Sequence, residues 1–550
     1  MREGLMMDDY PLSLTAVVQR AERFSADKAV VFRRPDGSVG RSTFGACTER
    51  ARRLAGAFAQ LGIRPGDPVA TLLWNQPEHL ELYFAVPSMG AVIHTLNPRL
   101  SPDELGFIVD DAEDRAIVVD ESLLDIFETF RDARSFDHVI VVRRSDDELP
   151  DGCHDYESLI AGAEPMQWPE SDERAAAAMC YTSGTTGRPK GVVYSHRSLV
   201  LHSLVAALPD VKGISSRDTL LPVVPMFHAN AWGLPYTATM IGAQLVLPGP
   251  KLDAISVLDL LADERVTVTA GVPTVWMAVL EALDAEPDRW DLSALRQLVV
   301  GGSAAPQSML EGFDRHGLTV IHAWGMTETS PLGSVCRLPL DLDDASQKEQ
   351  YTYRSRQGTA SPFVEIRARN DDGELIPWDD EAMGELEVRG PWVARGYHRG
   401  QGEEKFTSDG WFQTGDVVKI NPNGNLRICD RSKDLVKSGG EWISSVDLEN
   451  LLMAHEAVVE AAVIAIPDER WGERPLAVVV AREGQAPSPE ELREHLGTVY
   501  AKWQIPERFE FIDEIPRTAT GKFKKTALRE QFVEDYRRRP KPARQDRYAS

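Results

Sequence analysis

The sequence predicts an α/β protein: a large N-terminal α/β domain, then a small C-terminal α+β domain. Three observations carry this. Strand and helix patterns alternate up to about residue 170, as in a largely parallel sheet. A Gly/Ser/Thr-rich stretch at 181–191 follows a small apolar segment at 174–180, the order in which a loop leaves a buried strand. Beyond residue 436 the pattern becomes short strands and helices, a unit of about one hundred residues. With 550 residues, the chain exceeds what one core can organise.

Taken in order, residues 44–61 read as an amphipathic helix, because Cys47, Ala51, Leu54, Phe58 and Leu61 recur at three- and four-residue steps. A turn at 62–67 leads to a short strand at 68–73. Residues 116–120 and 138–142 are further apolar strands. Past the Gly/Ser/Thr-rich stretch, 199–208 reads as a helix. The segment 221–232 contains Pro222 and Pro225, so a loop is expected there, carrying Phe227, His228, Asn230 and Trp232. Residues 266–270 form a strand, 273–283 a helix, and 297–306 a strand, a glycine turn and a helix start. In the C-terminal unit, Ser444 and Ser445 precede a helix at 446–453. Strands are expected at 458–466 and 475–481, and Ser488-Pro489-Glu490-Glu491 has the spacing of a capping box that starts a helix. The end, 537–550, carries Arg and Pro without apolar period and reads as a disordered tail. The division expected is a large domain over 1–431, a hinge at 432–433, a small domain over 434–536, and that tail.

The stretch Tyr181-Thr182-Ser183-Gly184-Thr185-Thr186-Gly187-Arg188-Pro189-Lys190-Gly191 carries most of the chemistry. Short side chains let a backbone approach an anion, loop N–H groups and hydroxyls can wrap phosphate oxygens, and Lys190 adds a point charge. It is not the common P-loop, whose Lys directly follows the second Gly. A loop of this composition is by itself more often a plain surface loop. Gly301 and Gly302 remove side chains and so leave room for a ligand to pass close to the backbone. Around 322–331, Trp324 offers an aromatic face to a planar base, while Thr327 and Glu328 offer oxygen ligands suited to a hydrated Mg²⁺ beside polyphosphate. A buried Trp and a surface Glu would read the same way. Asp416 could accept both hydroxyls of a ribose, with Arg431 in support.

The net charge of −25 argues against a nucleic-acid or anionic-membrane partner, and an anionic substrate would need a local basic pocket. Cys47, Cys153, Cys180, Cys336 and Cys429 have no C-x-x-C spacing, which supports neither a disulfide framework nor a zinc site and fits the cytoplasm. No apolar run is long enough for a membrane span, and the N-terminus does not read as a signal peptide.

These stretches together, in this order, resemble the adenylate-forming superfamily of acyl-CoA synthetases, luciferases and adenylation domains, over nearly the whole chain. The resemblance is closest to the medium- and long-chain fatty acyl-CoA synthetase branch. It rests on residues 224–232, on 324–332 and on 437–449. It implies a large domain of several subdomains with mixed sheets and a small mobile C-terminal domain. It also implies a two-step reaction using ATP, Mg²⁺ and coenzyme A: a carboxylate attacks the α-phosphate to give acyl-AMP and pyrophosphate, and a CoA thiol then displaces AMP.

Residue by residue, the resemblance implies that Thr182, Ser183, Gly184, Thr185, Thr186 and Lys190 hold the β- and γ-phosphates. Thr182 and Glu328 bind or position Mg²⁺. Gly302, Ser303, Ala323, Trp324, Gly325, Met326 and Thr327 surround adenine and the α-phosphate, and Asp416 and Arg431 hold ribose. Lys522 bridges the attacking carboxylate and the α-phosphate, and His228 sits at the reacting end. Lys433 is the hinge between two orientations of the small domain. Lys437, Gly439, Gly440, Glu441 and Trp442 face the site in the thioester-forming one. Trp232 resembles the aromatic gate of a fatty-acyl tunnel, with Gly301, Gly302 and Pro331 at its carboxylate end. The chain departs from the branch at Trp324, where Tyr is common, and at Ala229, where a larger apolar residue is frequent. The acid expected is a medium- or long-chain fatty acid. The alternatives are a short functionalised acid such as 3-methylmercaptopropionate, or a carrier protein in place of free CoA. A homodimer is expected.

Overall fold

The computed structural model describes residue 7 and residues 9–538, apart from 183–187, 439–440, 469, 483, 486 and 518–522. Two large sheets organise the N-terminal part. One has seven strands in the order Cys153–Asp155, His138–Val142, Ala116–Asp120, Pro68–Leu72, Val92–Thr95, Ala176–Tyr181 and Gly191–Ser195, parallel except for the last. The other has nine, with six parallel strands from Val320–Trp324 to Ala29–Arg33 and antiparallel strands at both edges. Both sheets are therefore mixed. A four-stranded antiparallel sheet closes this part, ending on Leu426–Arg431. A separate five-stranded sheet begins at Val436–Ser438, with the helices Ser445–Met453 and Pro489–Gly497 against it. The last helix, Lys525–Arg538, reaches two residues into the segment read as a tail.

Local sequence explains the elements that carry the site. The helix Phe44–Gln60 starts where Thr43 accepts a hydrogen bond from the Ala46 amide, and it buries Phe44, Cys47, Ala51, Leu54 and Phe58 on one face. Each large side chain so buried contributes about 1.5–3 kcal/mol. The central parallel strands are apolar on both faces because helices cover both sides. Their carboxyl ends, where loops must leave the sheet, converge on one cleft.

Buried histidines give the fold a pH sensitivity. His196 is held near a pKa of about 4 by burial, and its Nδ1 accepts a hydrogen bond from the Leu14 amide at 3.2 Å. Burial also lowers His79 to about 4. It donates from Nδ1 to the Trp74 carbonyl and accepts from the Thr71 hydroxyl, both at 3.0 Å. The folded state thus refuses protons that the unfolded chain takes up below about 6.5, so stability falls as pH drops from there toward 4. Burial raises Glu81 and Glu449 to about 7, which acts in the opposite direction over the same window. The readout of a melting series at pH 7.5, 6.5 and 5.5 is therefore a difference: from pH 7.5 to 5.5, wild type should lose Tm relative to His196→Gln. Parallel series would count against this.

Candidate active site

The strand Ala176–Tyr181 and its antiparallel neighbour Gly191–Ser195 are joined by the Gly/Ser/Thr-rich stretch, whose base is described and whose residues 183–187 are not. Thr182 and Lys190 clamp that base: the Thr182 amide donates to the Lys190 carbonyl at 3.0 Å, and the Lys190 amide donates to Thr182 Oγ1 at 3.2 Å. Lys190 Nζ lies 5.2 Å from the centre of the Tyr397 ring and 3.7 Å from a carboxylate oxygen of exposed Glu404. An exposed ion pair of this kind is worth little and competes weakly with a polyphosphate.

Tyr397 joins this lysine to the predicted metal ligand. Its hydroxyl donates to Glu328 Oε1 at 2.6 Å, and burial followed by the Glu328 charge holds its own pKa well above the ordinary value. Glu328 is buried, in a 3₁₀ turn over Thr327–Thr329 whose carbonyls are fixed by the Tyr194 hydroxyl and the Ala394 amide. Nothing in the sequence around Tyr397 singles it out.

Asp416 and Arg431 face each other across adjacent antiparallel strands, with Arg431 Nε 2.8 Å from Asp416 Oδ1. The other oxygen, Oδ2, accepts the Trp324 indole N–H at 2.9 Å. That indole lies directly on Gly333, where a Cβ would stand 2.3 Å from the ring. The tryptophan read as a base-stacking platform therefore also orients the predicted ribose carboxylate.

Trp232 comes from the segment read as a loop. The structure makes Ala229–Trp232 a left-handed turn, with φ of 42°, 55°, 48° and 54°, running into Gly233 at 72°. The turn lays the indole over the Gly301–Gly302 step: a Cβ on Gly301 would lie 3.2 Å from the ring and 3.1 Å from the Ala323 carbonyl. Gly302 has φ of +88°, so glycine is required there for conformation as well. His228, half-buried, precedes the turn.

Most of the predicted site residues among these line a cavity of about 1400 Å³. Thr182, Lys190, His228, Trp232, Gly301, Gly302, Ser303 and Pro331 are on its wall, as are residues 323–328, Asp416, Arg431 and Lys433. Arg99, Arg188, Lys405, Lys524 and Lys525 also line it, alongside carboxylates such as Glu104, Glu311, Asp430 and Glu449, so cations are available to an anionic substrate without making the whole cavity basic. Burial lowers the Lys433 pKa. The small domain contributes Arg517, Phe523, Lys524 and Lys525, which flank the undescribed Lys522. Lys437, Glu441 and Trp442 are not on the wall. They form a hairpin in which Lys437 Nζ lies 5.1 Å from the centre of the Trp442 ring and donates to Asp371 at 2.9 Å. Gly439 and Gly440, like Ser183, Gly184, Thr185 and Thr186, lie outside the described residues.

Residues 17–398 match the AMP-binding enzyme family, and residues 447–522 match the AMP-binding enzyme C-terminal domain. The chain belongs to the AMP-binding enzyme family. It is 49% identical to the long-chain-fatty-acid–CoA ligase of Thermus thermophilus over 536 residues, covering 96% of this chain and 97% of that one. It is 43% identical to the 3-methylmercaptopropionyl-CoA ligase of Ruegeria lacuscaerulensis over 536 residues, 96% and 98% of the two chains. Among solved structures, ATP-bound MatB from Rhodopseudomonas palustris superposes with a TM-score of 0.81 at 28% identity, covering 95% of this chain and all of that one. An anthranilate CoA ligase in complex with anthranoyl-AMP reaches 0.85 at 24% identity, over 97% and 100%, and shows the fold.

As a member of this family the chain is an AMP-forming acyl-CoA synthetase. It is an ATP-dependent acid–CoA ligase that works through acyl-AMP and uses Mg²⁺. The residues present fit these groups. Two carboxylate oxygens of Asp416 are each half-used, leaving lone pairs for two hydroxyls. One buried carboxylate, Glu328, on the same cavity wall as the Thr182 hydroxyl, suits a Mg²⁺ that keeps several waters. Among the described residues no helix is long and apolar enough to cross a membrane.

Proposed function

We propose that this ligase activates a medium- or long-chain fatty acid. The carrying observation is that the cavity wall extends beyond Trp232 and Gly301 onto the helices Pro273–Ala285 and Gln307–Arg315, with Thr274, Met277, Leu280 and Ser308 on it beside Glu281, Asp284, Glu311 and Arg315. An acyl chain laid there gains about 0.8 kcal/mol for each CH₂ it buries. The relative in Thermus thermophilus is named for long-chain fatty acids and supports this reading. One observation favours a short functionalised acid instead. The Trp232 ring lies across Gly301 and Gly302, where it would be the floor of a short pocket, and the Ruegeria lacuscaerulensis relative is named for 3-methylmercaptopropionate. Pyrophosphate release and thiol consumption across C3 to C18 acids, with and without CoA, separate the readings. Dominance of C8 to C16 acids in kcat/KM supports the first, dominance of C3 to C5 or thioether acids the second. Pyrophosphate release without thiol consumption, with turnover restored by a phosphopantetheinyl carrier, would make the chain a carrier-loading enzyme.

In the adenylation step a carboxylate oxygen bonds to the α-phosphorus of ATP and the bond to pyrophosphate breaks. The 182–190 stretch and Lys190 hold the departing phosphates, residues 302–303 and 323–327 hold adenine and the α-phosphate, and Asp416 with Arg431 holds ribose. Thr182 and Glu328 would hold Mg²⁺, which would supply positive charge to offset the negative charge of the phosphates. His228 and Pro331 border the carboxylate end, and Lys522 bridges the two anions. In the second step the CoA sulfur loses its proton, bonds to the acyl carbon and expels AMP. Between the two steps the small domain turns about Lys433, exchanging the Lys522 segment for the hairpin of Lys437, Gly439, Gly440, Glu441 and Trp442. The placement of Arg517 and residues 523–525 on the cavity wall, with that hairpin off it, suits the adenylating orientation.

Lys433→Pro tests the hinge. Proline fixes φ near −65° and resists a backbone rotation there. Thioester formation from supplied acyl-AMP should fall about tenfold more than pyrophosphate release does. Equal loss in both would remove Lys433 from the role. We further propose a cytoplasmic homodimer, which light scattering of the purified chain at two concentrations would test.

A further inference from the structure

Lys212 is a buried lysine that the reaction as described does not use. It is 3% exposed, and no carboxylate among the described residues forms an ion pair with its ammonium. Burial alone pushes its pKa down to about 7. An isolated buried charge is costly, and packing alone would favour an apolar residue at this position. What the ammonium does have is one acceptor: Nζ donates to the main-chain carbonyl of Trp232 at 2.8 Å, and Lys212 lines the same cavity.

That carbonyl closes the left-handed turn Ala229–Trp232. Four successive non-glycine residues in this region are sterically disfavoured and persist only where surroundings over-determine them. Two restraints act on the turn's end. His202 fills the space beside Gly233, where a Cβ would stand 2.5 Å from its ring. Lys212 holds the carbonyl one residue earlier. Lys212 is itself anchored to the floor that Trp232 covers: its own carbonyl accepts from the Gln297 side-chain amide, and Gln297 opens the strand that ends at Val300, just before Gly301. Arg337 donates to Gln297 Oε1 at 3.0 Å and to the Val211 carbonyl at 2.8 Å. The chain of contacts runs from the base of the floor strand, through Lys212, to the residue lying over the floor's far end.

We propose that Lys212 is a positioning residue that holds Trp232 over Gly301 and Gly302 and thereby sets which acyl-chain lengths the cavity accepts. The proposal rests on the reading of Trp232 as a wall of the acyl site. Without the ammonium, the turn loses the donor on its last carbonyl and relaxes toward right-handed backbone, and the ring withdraws. Long acids gain access to the space between the helices, and short acids lose a wall.

The test uses the full chain and kcat/KM for butanoate and dodecanoate, in wild type, Lys212→Met, Trp232→Gly and the double variant. Lys212→Met, which keeps the stem and removes the donor, should raise the dodecanoate-to-butanoate ratio about tenfold, the scale of one charge-assisted hydrogen bond. KM for ATP should stay within about twofold. In the Trp232→Gly background the same change should leave the ratio unmoved, because its lever is gone. Should Lys212→Met not fold, Lys212→Gln carries the test: it withdraws the donor by one bond and should shift the ratio the same way. An unchanged ratio, or equal loss for both acids, overturns the role of Lys212. A Trp232→Gly profile identical to wild type would instead overturn the reading of Trp232, an outcome the Lys212 variants do not mimic.

Discussion

Lys522→Ala should slow pyrophosphate release by on the order of 10²–10³, while CoA should still convert supplied acyl-AMP to thioester at close to the wild-type rate. The physical reason is the meeting of two anions. The attacking carboxylate and the α-phosphate repel each other, and the transition state gathers more negative charge than either holds alone. The protein as a whole makes this worse, with a net charge of −25. A cation placed between the two anions acts most strongly where water is excluded. The segment around Lys522 is built to be placed. Lys525, three residues on, is buried with its ammonium 2.6 Å from Glu449 Oε1 and in contact with the Ser445 hydroxyl, both on the small domain's first helix. Burial also presses on Glu449, yet the neighbouring carboxylates keep Lys525 above its ordinary value and so charged. In the thioester step the nucleophile attacks the uncharged acyl carbon and not the α-phosphorus, so a cation bridging carboxylate and α-phosphate is not needed there. The half-reactions are separated by measuring pyrophosphate release without CoA and thiol loss from added acyl-AMP. Equal loss in the two would mean that Lys522 supports the site generally and does not bridge the reacting groups.

Much of the fold was legible because it rests on local patterns. The apolar runs at 116–120 and 138–142 are strands with those bounds, and the capping box at Ser488 starts the helix Pro489–Gly497 as expected. Boundaries moved where tertiary contacts extend an element. The strand expected at 458–466 runs to Asp468 because Gly472–Ala481 pairs along its whole length. The residues that share the cavity wall, such as Thr182, Lys190, Gly302, Glu328, Asp416 and Arg431, were legible because glycines, hydroxyls and charges mark themselves, whereas Lys437, Glu441 and Trp442 lie off that wall. The couplings within the site were not legible. The hydrogen bond from Trp324 to Asp416 spans 92 positions, and that from Tyr397 to Glu328 spans 69. No spacing rule reaches so far. The left-handed turn Ala229–Trp232 had no signal at all: alanine and tryptophan disfavour that backbone, and what holds it comes from other parts of the chain. Lys212 was invisible for the same reason. A lysine after a helix reads as solvent-exposed until the fold buries it.

Asp416→Ala should cut kcat/KM for ATP by about a hundredfold or more while leaving KM for the acid within about threefold. Two effects combine. A ribose loses the acceptor for both its hydroxyls, and each hydrogen bond to a charged group is worth about 1.5–3 kcal/mol. The protein also loses the partner of a buried indole: Trp324 is 7% exposed, and its N–H has Asp416 at 2.9 Å. An orphaned buried donor costs about 1–3 kcal/mol, relieved only if the ring tilts or water enters. Either response disturbs the face that Trp324 presents to the base. The Arg431 contribution is smaller, because its side chain is 37% exposed and water can replace the lost carboxylate. Asp416→Asn separates the two effects. It keeps an oxygen for either the indole or a hydroxyl, though not for the full set, and it removes the charge. ATP affinity in Asp416→Asn should therefore lie between wild type and Asp416→Ala, while Tm stays closer to wild type. A fall in Tm with unchanged kcat/KM for ATP would make Asp416 a structural partner of Trp324 and remove it from the nucleotide site.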